Sequence, residues 1–239
     1  MNSKAIFYLL VPLLLSGCNS QTKNTTSDTA PDTIGTTSVT AVEVEETPAM
    51  CGWKCHGLLG RVKSVRYANG ACLEFNSDGN LTREITVWEW EGNKSTDTLT
   101  NVYSSPNAYS RGEDCTYKIE YEKNTRSEVE QGGEYFRDSF TFDNLGRLIK
   151  SNPNVGFGAL TIEYKYDSEK DKLPSMQTDE GGDESGIYLT VNKFEYLKTD
   201  TKGNWTERKV TRKAMQTDEE EKKSVTTETL TEKREITYF

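Results

Sequence analysis

The sequence predicts an all-β domain, an antiparallel meander of about 8–11 strands forming an open curved sheet or partial barrel, preceded by a disordered tether. Three observations predict it. Apolar and polar residues alternate after residue 50, as where Cys115, Tyr117, Ile119 and Tyr121 interleave with Thr116, Lys118, Glu120 and Glu122, the mark of half-buried antiparallel strands. No window carries an apolar stripe of helical period. Short turns rich in Asn, Asp and Gly recur between the alternating runs, and these residues supply the local hydrogen bonds and positive φ that hairpins need.

From the N-terminus, the first element is residues 1–17, with one cation at Lys4, an apolar run from Ala5 to Leu15, and small residues at Ser16 and Gly17 before Cys18. The run falls far short of the ~20 apolar residues that cross a bilayer and contains Pro12, so it predicts export rather than a span. It resembles the lipobox of bacterial lipoproteins. The resemblance implies that Cys18 carries a diacylglyceryl thioether and, after cleavage before it, a further acyl chain such as palmitate on its new amine. Asn19 in place of an aspartate implies sorting to the outer membrane, and no acidic run follows that would imply surface display, so the expected orientation is periplasm-facing. At about 0.8 kcal/mol per buried methylene, three chains would anchor the protein without spanning the bilayer.

Residues 18–50 form the tether. The segment is rich in Thr and Ser and holds no aromatic residue, so it cannot bury enough apolar surface to offset the entropy of ordering. A coil of this length spans on the order of 30 Å at rest and roughly 100 Å when taut. Within it Thr29 and Thr33, and further on Thr98, each follow an aspartate and precede an apolar residue. The triplets resemble O-glycosylation acceptors of some Gram-negative lineages.

Residues 51–239 form the folded domain. Its predicted strands are Arg61–Tyr67, Ala71–Asn76, Asn80–Glu91, Cys115–Glu122, Glu134–Asp143, Leu160–Tyr166, Ile187–Leu197, Asn204–Ala214, Val225–Leu230 and Arg234–Phe239. In Ile187–Leu197 the apolar residues change parity between Val191 and Phe194, which predicts a bulge near Asn192-Lys193. The charge-rich stretches Asp179–Glu184 and Thr217–Lys223 read as solvated turns.

The turns share one form. Phe75-Asn76-Ser77-Asp78-Gly79-Asn80-Leu81, Phe142-Asp143-Asn144-Leu145-Gly146-Arg147-Leu148 and the stretch from Tyr196 through Asp200, Gly203 and Asn204 to Trp205 run from an aromatic residue through a polar turn and Gly to a large apolar residue. Tyr164-Lys165-Tyr166-Asp167 reads as a copy that has lost its glycine. This form is similar to the YD repeat of RHS-type bacterial proteins. With Lys202–Arg208 and the ending Arg234–Phe239 it resembles bacterial outer-membrane lipoproteins carrying degenerate repeats of that type. The likeness covers much of residues 58–239 and implies hairpins rather than an activity, since four irregular copies are too few to enclose a cargo.

The formal charge of −9 argues against nucleic acid as a partner. With 33% apolar and 28% charged residues, the chain has material for one thin core. Cys51, Cys55, Cys72 and Cys115 form an even set, which in an oxidising compartment predicts two disulfides with three pairings open. Either Cys51 closes on Cys55 and Cys72 meets Cys115, or the first two pair outward.

Cys51–His56 also resembles c-type haem attachment. It departs from that pattern by a third intervening residue and by the lack of any other histidine. A haem, metal or redox centre on Cys51, Cys55 and His56 is therefore the competing reading. The expectation is no cofactor and no enzyme, because there is no nucleophile elbow, and Asn76, Asp78 and Asn80 fit a hairpin better than a calcium loop. The predicted activity is a binding or scaffolding module for an envelope protein or carbohydrate, through the aromatic residues Trp88, Trp90, Tyr103 and Tyr109.

Overall fold

The structure is a computed structural model that describes residues 50–90, 92–112, 115–132, 136–155, 158–183, 186–218 and 222–239. Cys18, Thr29, Thr33 and the tether up to residue 49 lie outside the described residues. Among the described residues one helical turn, α1 (Gly52–Cys55), precedes fourteen strands. These are β1 (Val62–Tyr67), β2 (Cys72–Phe75), β3 (Leu81–Trp90), β4 (Asn93–Ser105), β5 (Ala108–Arg111), β6 (Cys115–Glu122) and β7 (Thr125–Gln131). They continue with β8 (Arg137–Phe142), β9 (Leu148–Asn152), β10 (Ala159–Lys165), β11 (Met176–Asp183), β12 (Gly186–Thr199), β13 (Trp205–Asp218) and β14 (Lys223–Tyr238). Each strand pairs antiparallel with its successor, and β14 pairs with β1, so the sheet closes into a barrel.

The all-β meander is as predicted, and the closure and strand count differ. The wall is sealed by Val65 opposite Ile236 and Tyr67 opposite Arg234, a pairing between the two ends of the domain that no local pattern announces. β4, β5, β7, β9 and β11 were not among the predicted strands, and the two last predicted strands are one, β14. The missing strands put polar side chains inside. β7 turns Arg126 and Glu128 inward, and β11 turns Gln177 and Asp179 inward with Gly181.

The bulge at Asn192-Lys193 is absent. Pairing with β13 runs unbroken from Gly186 to Tyr196 and shifts only at Tyr196–Thr199. The side chains of Ile187, Leu189 and Val191 keep the outward parity throughout, with Ile187 64% exposed, while Asn192, Phe194 and Tyr196 face in. Asp179–Asp183 is strand rather than turn.

Three hairpin turns are built alike. Asn76, Asp143 and Asp200 each accept two backbone N–H bonds on one side-chain oxygen, from the residues two and four positions on, at 2.9–3.1 Å. In each, the glycine three positions on donates to the backbone carbonyl of that Asn or Asp and takes a positive φ, 86° at Gly79, 72° at Gly146 and 92° at Gly203, a region that a Cβ disfavours. The residues flanking each turn pair across the strands at the bulge, Phe75 with Leu81, Phe142 with Leu148 and Thr199 with Trp205. Antiparallel alternation puts all three at one end of the barrel, with the β10–β11 loop, the start of β1 and the end of β14.

The segment before β1 plugs that end. Trp53 is 2% exposed and donates its indole N–H to the Val62 carbonyl at 2.7 Å. It packs with Cys51, Leu58, Val65, Phe75 and Leu81. Cys55 enters a second cluster with Phe140, Phe142 and Leu148. Asn204, fully buried, clamps Leu59 through both backbone groups, accepting from its N–H at 2.9 Å and donating to its carbonyl at 2.7 Å.

The outward face carries Lys118, Glu120, Glu163, Lys193, Glu195, Lys209, Lys213, Lys233 and Glu235, all exposed. Exposed apolar residues such as Val102, Ile187 and Val225 stand among these charges. No helix among the described residues is long and apolar enough to cross a membrane.

Candidate functional site

The alternation that fixes the wall also fixes what the lumen contains. One side of the interior, under β4–β8, is filled. Tyr109 is fully buried, stacked on Tyr117 with ring centroids 5.0 Å apart, and donates to Glu128 at 2.7 Å. Glu128 also accepts from Arg126 at 2.9 Å, in an ion pair with no exposed surface on either side chain. Arg111 donates to Asn101 at 3.0 Å and to the Tyr109 hydroxyl at 3.2 Å. Low dielectric makes such a network strong when complete.

Two carboxyls at its margin are held toward the neutral form. Burial pushes Glu84 up to about 8, against the pull of Arg111 and with help from Asp138. Burial likewise raises Asp138 to about 7, opposed by the Asn154 N–H that it accepts. Nearer the plug, His56 packs edge-on against Phe75, and burial, followed by the charge of Arg126, depresses its pKa to about 3. It is a neutral imidazole at any ordinary pH.

The other side, under β10–β14 and β1, holds a cavity of about 1500 Å³, larger than the ~300–1,000 Å³ usual for small-molecule sites. Aromatic rings and arginines line it in stacked layers. The Arg208 guanidinium sits between Phe194 and Trp205, 4.1 and 4.2 Å from their centroids, and pairs with Glu232 at 2.6 Å. Arg234 covers the same Trp205 ring at 3.9 Å, and Arg147 covers Tyr166 at 4.2 Å. Arg212 joins Glu228 at 3.0 Å and Asn192 at 3.1 Å. Asn192 and Gln177 both donate to Asp179, whose carboxyl burial nonetheless raises. Tyr196 is raised to about 12, chiefly by burial, and donates to the Pro174 carbonyl. The cavity reaches the plugged end at the rim made by residues 169–174 and Thr201-Lys202.

Of the four residues predicted as a binding surface, the structure brings Tyr103 and Tyr109 together, with ring centroids 5.3 Å apart. Trp88 is 40% exposed near the tip of the β3–β4 hairpin, and Trp90 is placed as the backbone partner of Asn93. Tyr103 is half-buried and donates to the Leu81 carbonyl at 3.3 Å, and Tyr109 lies inside the packed network. An exposed set of all four is therefore corrected: the tyrosines belong to the interior. Thr98 is exposed on the outer face of β4, opposite Ile85.

The expected disulfides among Cys51, Cys55, Cys72 and Cys115 are not formed among the described residues. Cys51 and Cys55 pack into separate clusters. Cys72 and Cys115 stand on β2 and β6, four strand spacings of about 4.8 Å apart around the wall, beyond the ~7 Å that a bridge tolerates. No group of three His, Cys, Asp or Glu side chains is placed to hold a metal ion among the described residues. Cys51, Cys55 and His56 contribute to the plug.

Sequence reasoning missed Arg208, Arg212, Arg234 and Asp179. A signal was present: in Arg208-Lys209-Val210-Thr211-Arg212-Lys213 the arginines alternate with lysines, and the arginines face in while the lysines are exposed. A planar guanidinium stacks on rings and tolerates burial where an ammonium does not. No family model matches the chain, and no curated protein matches it.

Proposed function

We propose that this chain is a lipid-anchored cell-envelope lipoprotein whose barrel is a non-catalytic binding module, taking its ligand in the lumen rather than on the aromatic hairpin. The observation that carries this reading is the aromatic and arginine-lined cavity of about 1500 Å³ inside a closed wall. Barrels of this breadth leave interior space for a ligand once side chains no longer fill them. The lipobox at Leu15–Cys18 supports anchorage, Asn19 supports the outer membrane facing the periplasm, and the charged outward face fits a barrel held beside the bilayer. The three matching turns support an origin in YD-type repeats. The acidic balance of the chain disfavours nucleic acid.

The test is intact and native mass spectrometry on the protein isolated from its own envelope, with an absorption spectrum. A triacylated chain beginning at Cys18, carrying a small-molecule adduct that is lost on unfolding, is expected. A bare unprocessed chain would defeat the anchor, and an adduct that survives unfolding would defeat lumen binding. A Soret band or bound metal would return attention to Cys51, Cys55 and His56.

A further inference from the structure

Three of the lumen arginines have a carboxylate of their own: Arg147 with Asp143, Arg208 with Glu232 and Arg212 with Glu228. Arg234 has none among the described residues. It is 5% exposed and lines the cavity. Its Nε donates to the Trp205 carbonyl at 2.8 Å, and one terminal nitrogen has no partner. A buried guanidinium without a counter-charge is unfavourable unless something supplies one.

The surroundings point the same way. Acidic residues outnumber basic ones in the whole chain, 38 to 29, yet the cavity is lined by ten Lys and Arg against five Asp and Glu. Two of those five, Glu84 and Asp179, are held toward neutrality by burial. Arg234 shares the Trp205 ring with Arg208, whose charge Glu232 answers, and stands near Tyr196, while Phe194, Val210 and Leu230 supply apolar wall further along the same cavity.

We propose that Arg234 is the anion-recognising residue of the lumen, and that the ligand is an amphiphile with one anionic head, carboxylate or phosphate, on an apolar body. This rests on the lumen being the binding site. The guanidinium fork matches either head, and the rings and aliphatic side chains of the same cavity cover the body. A merely structural Arg234, stapled to Trp205, would affect stability and leave ligand preference alone.

The test uses the full chain carrying Cys18→Ser, so that no detergent competes, titrated with dodecanoate, dodecyl phosphate and the neutral dodecanol while Trp fluorescence and heat are followed. At least one anion should bind about tenfold more tightly than dodecanol, and the tighter arm identifies the head group. Arg234→Met should erase that preference while leaving dodecanol unchanged, and Arg234→Lys should keep part of it. Equal binding of anions and dodecanol by the parent, which needs no variant, would overturn the anion assignment and leave lumen binding standing. Undiminished anion binding by a folded Arg234→Met would do the same. If none of the three probes binds and the native protein carries no adduct, both readings fall.

Discussion

Trp53 lies against Gly79 so closely that a Cβ built on the glycine would stand 2.8 Å from the indole Cε3. The plug and the β2–β3 turn are therefore shaped to each other, and Gly79 serves twice, by its φ of 86° and by its missing side chain. Gly79→Ala should destabilise the fold by about 2–4 kcal/mol, combining left-handed strain with overpacking. Gly92, with φ of 79° and nothing within 4 Å of its Cβ position, supplies the control. Gly92→Ala should cost about 1–2 kcal/mol, from backbone strain alone. Urea unfolding of both variants checks this, and equal losses would mean that the indole contact contributes nothing.

Asn204 ties the plug to the wall through Leu59 and also donates to the Tyr238 hydroxyl at 2.8 Å. Asn204→Ala would strand partly buried backbone groups and should cost about 2–3 kcal/mol. Hydrogen exchange should rise first at residues 57–60. Faster exchange spread evenly over the barrel would instead place the clamp in the global fold.

The buried acids and the imidazole set opposite pH dependences. Glu84 moves from 4.5 to about 8 and Asp138 from 3.8 to about 7 on folding. The folded state then holds more protons than the unfolded through those windows, and stability falls as pH rises across them. His56 moves from 6.5 to about 3, so its contribution falls as pH drops below 6.5. Between pH 7 and 8 the carboxyls dominate, and unfolding free energy should decline there by about 1–2 kcal/mol. Glu84→Gln should remove most of that decline. His56→Gln should leave it intact and remove the imidazole's opposing contribution between pH 6.5 and 4. A decline that persists in Glu84→Gln would clear Glu84 of responsibility.

Cys51, Cys55 and Cys72 are each no more than 2% exposed, and burial raises the Cys72 thiol. Alkylation of the native protein without reductant should spare these three and reach Cys115 slowly. In denaturant, still without reductant, all four should react. Labelling that appears only after reduction would show bridges in place of thiols.

The turns were legible because they are local. An Asn or Asp, a glycine three places on and a large apolar residue specify the hydrogen bonds of Asn76, Asp143 and Asp200 without reference to the rest of the chain. The strands β6 and β10 were legible because their inward residues, Tyr117, Ile119, Leu160 and Ile162, are apolar. β7 and β11 were not, because the rule that polar residues face water fails when Arg126 and Glu128 satisfy one another, and Gln177 and Asn192 satisfy Asp179, inside a lumen. The aromatic candidates were found, but alternation alone cannot say which side of Tyr109 is the interior of a closed wall. The cavity depends on that closure, and closure joins residues at opposite ends of the domain.

That seam has a consequence for how the molecule is made. β1 is the first strand to leave the ribosome and the last to gain its second neighbour, since Val65 and Tyr67 wait for Ile236 and Arg234. Joining segments so far apart in sequence carries a large loop-closure entropy and slows folding. Throughout synthesis the growing sheet exposes a free edge on β1 and another on its newest strand, both open to mispairing. A chain stopped before Arg234 would lack the Arg234–Tyr238 half of the seam and keep both edges, so the end of β14 decides whether the product is a vessel or an aggregating ribbon.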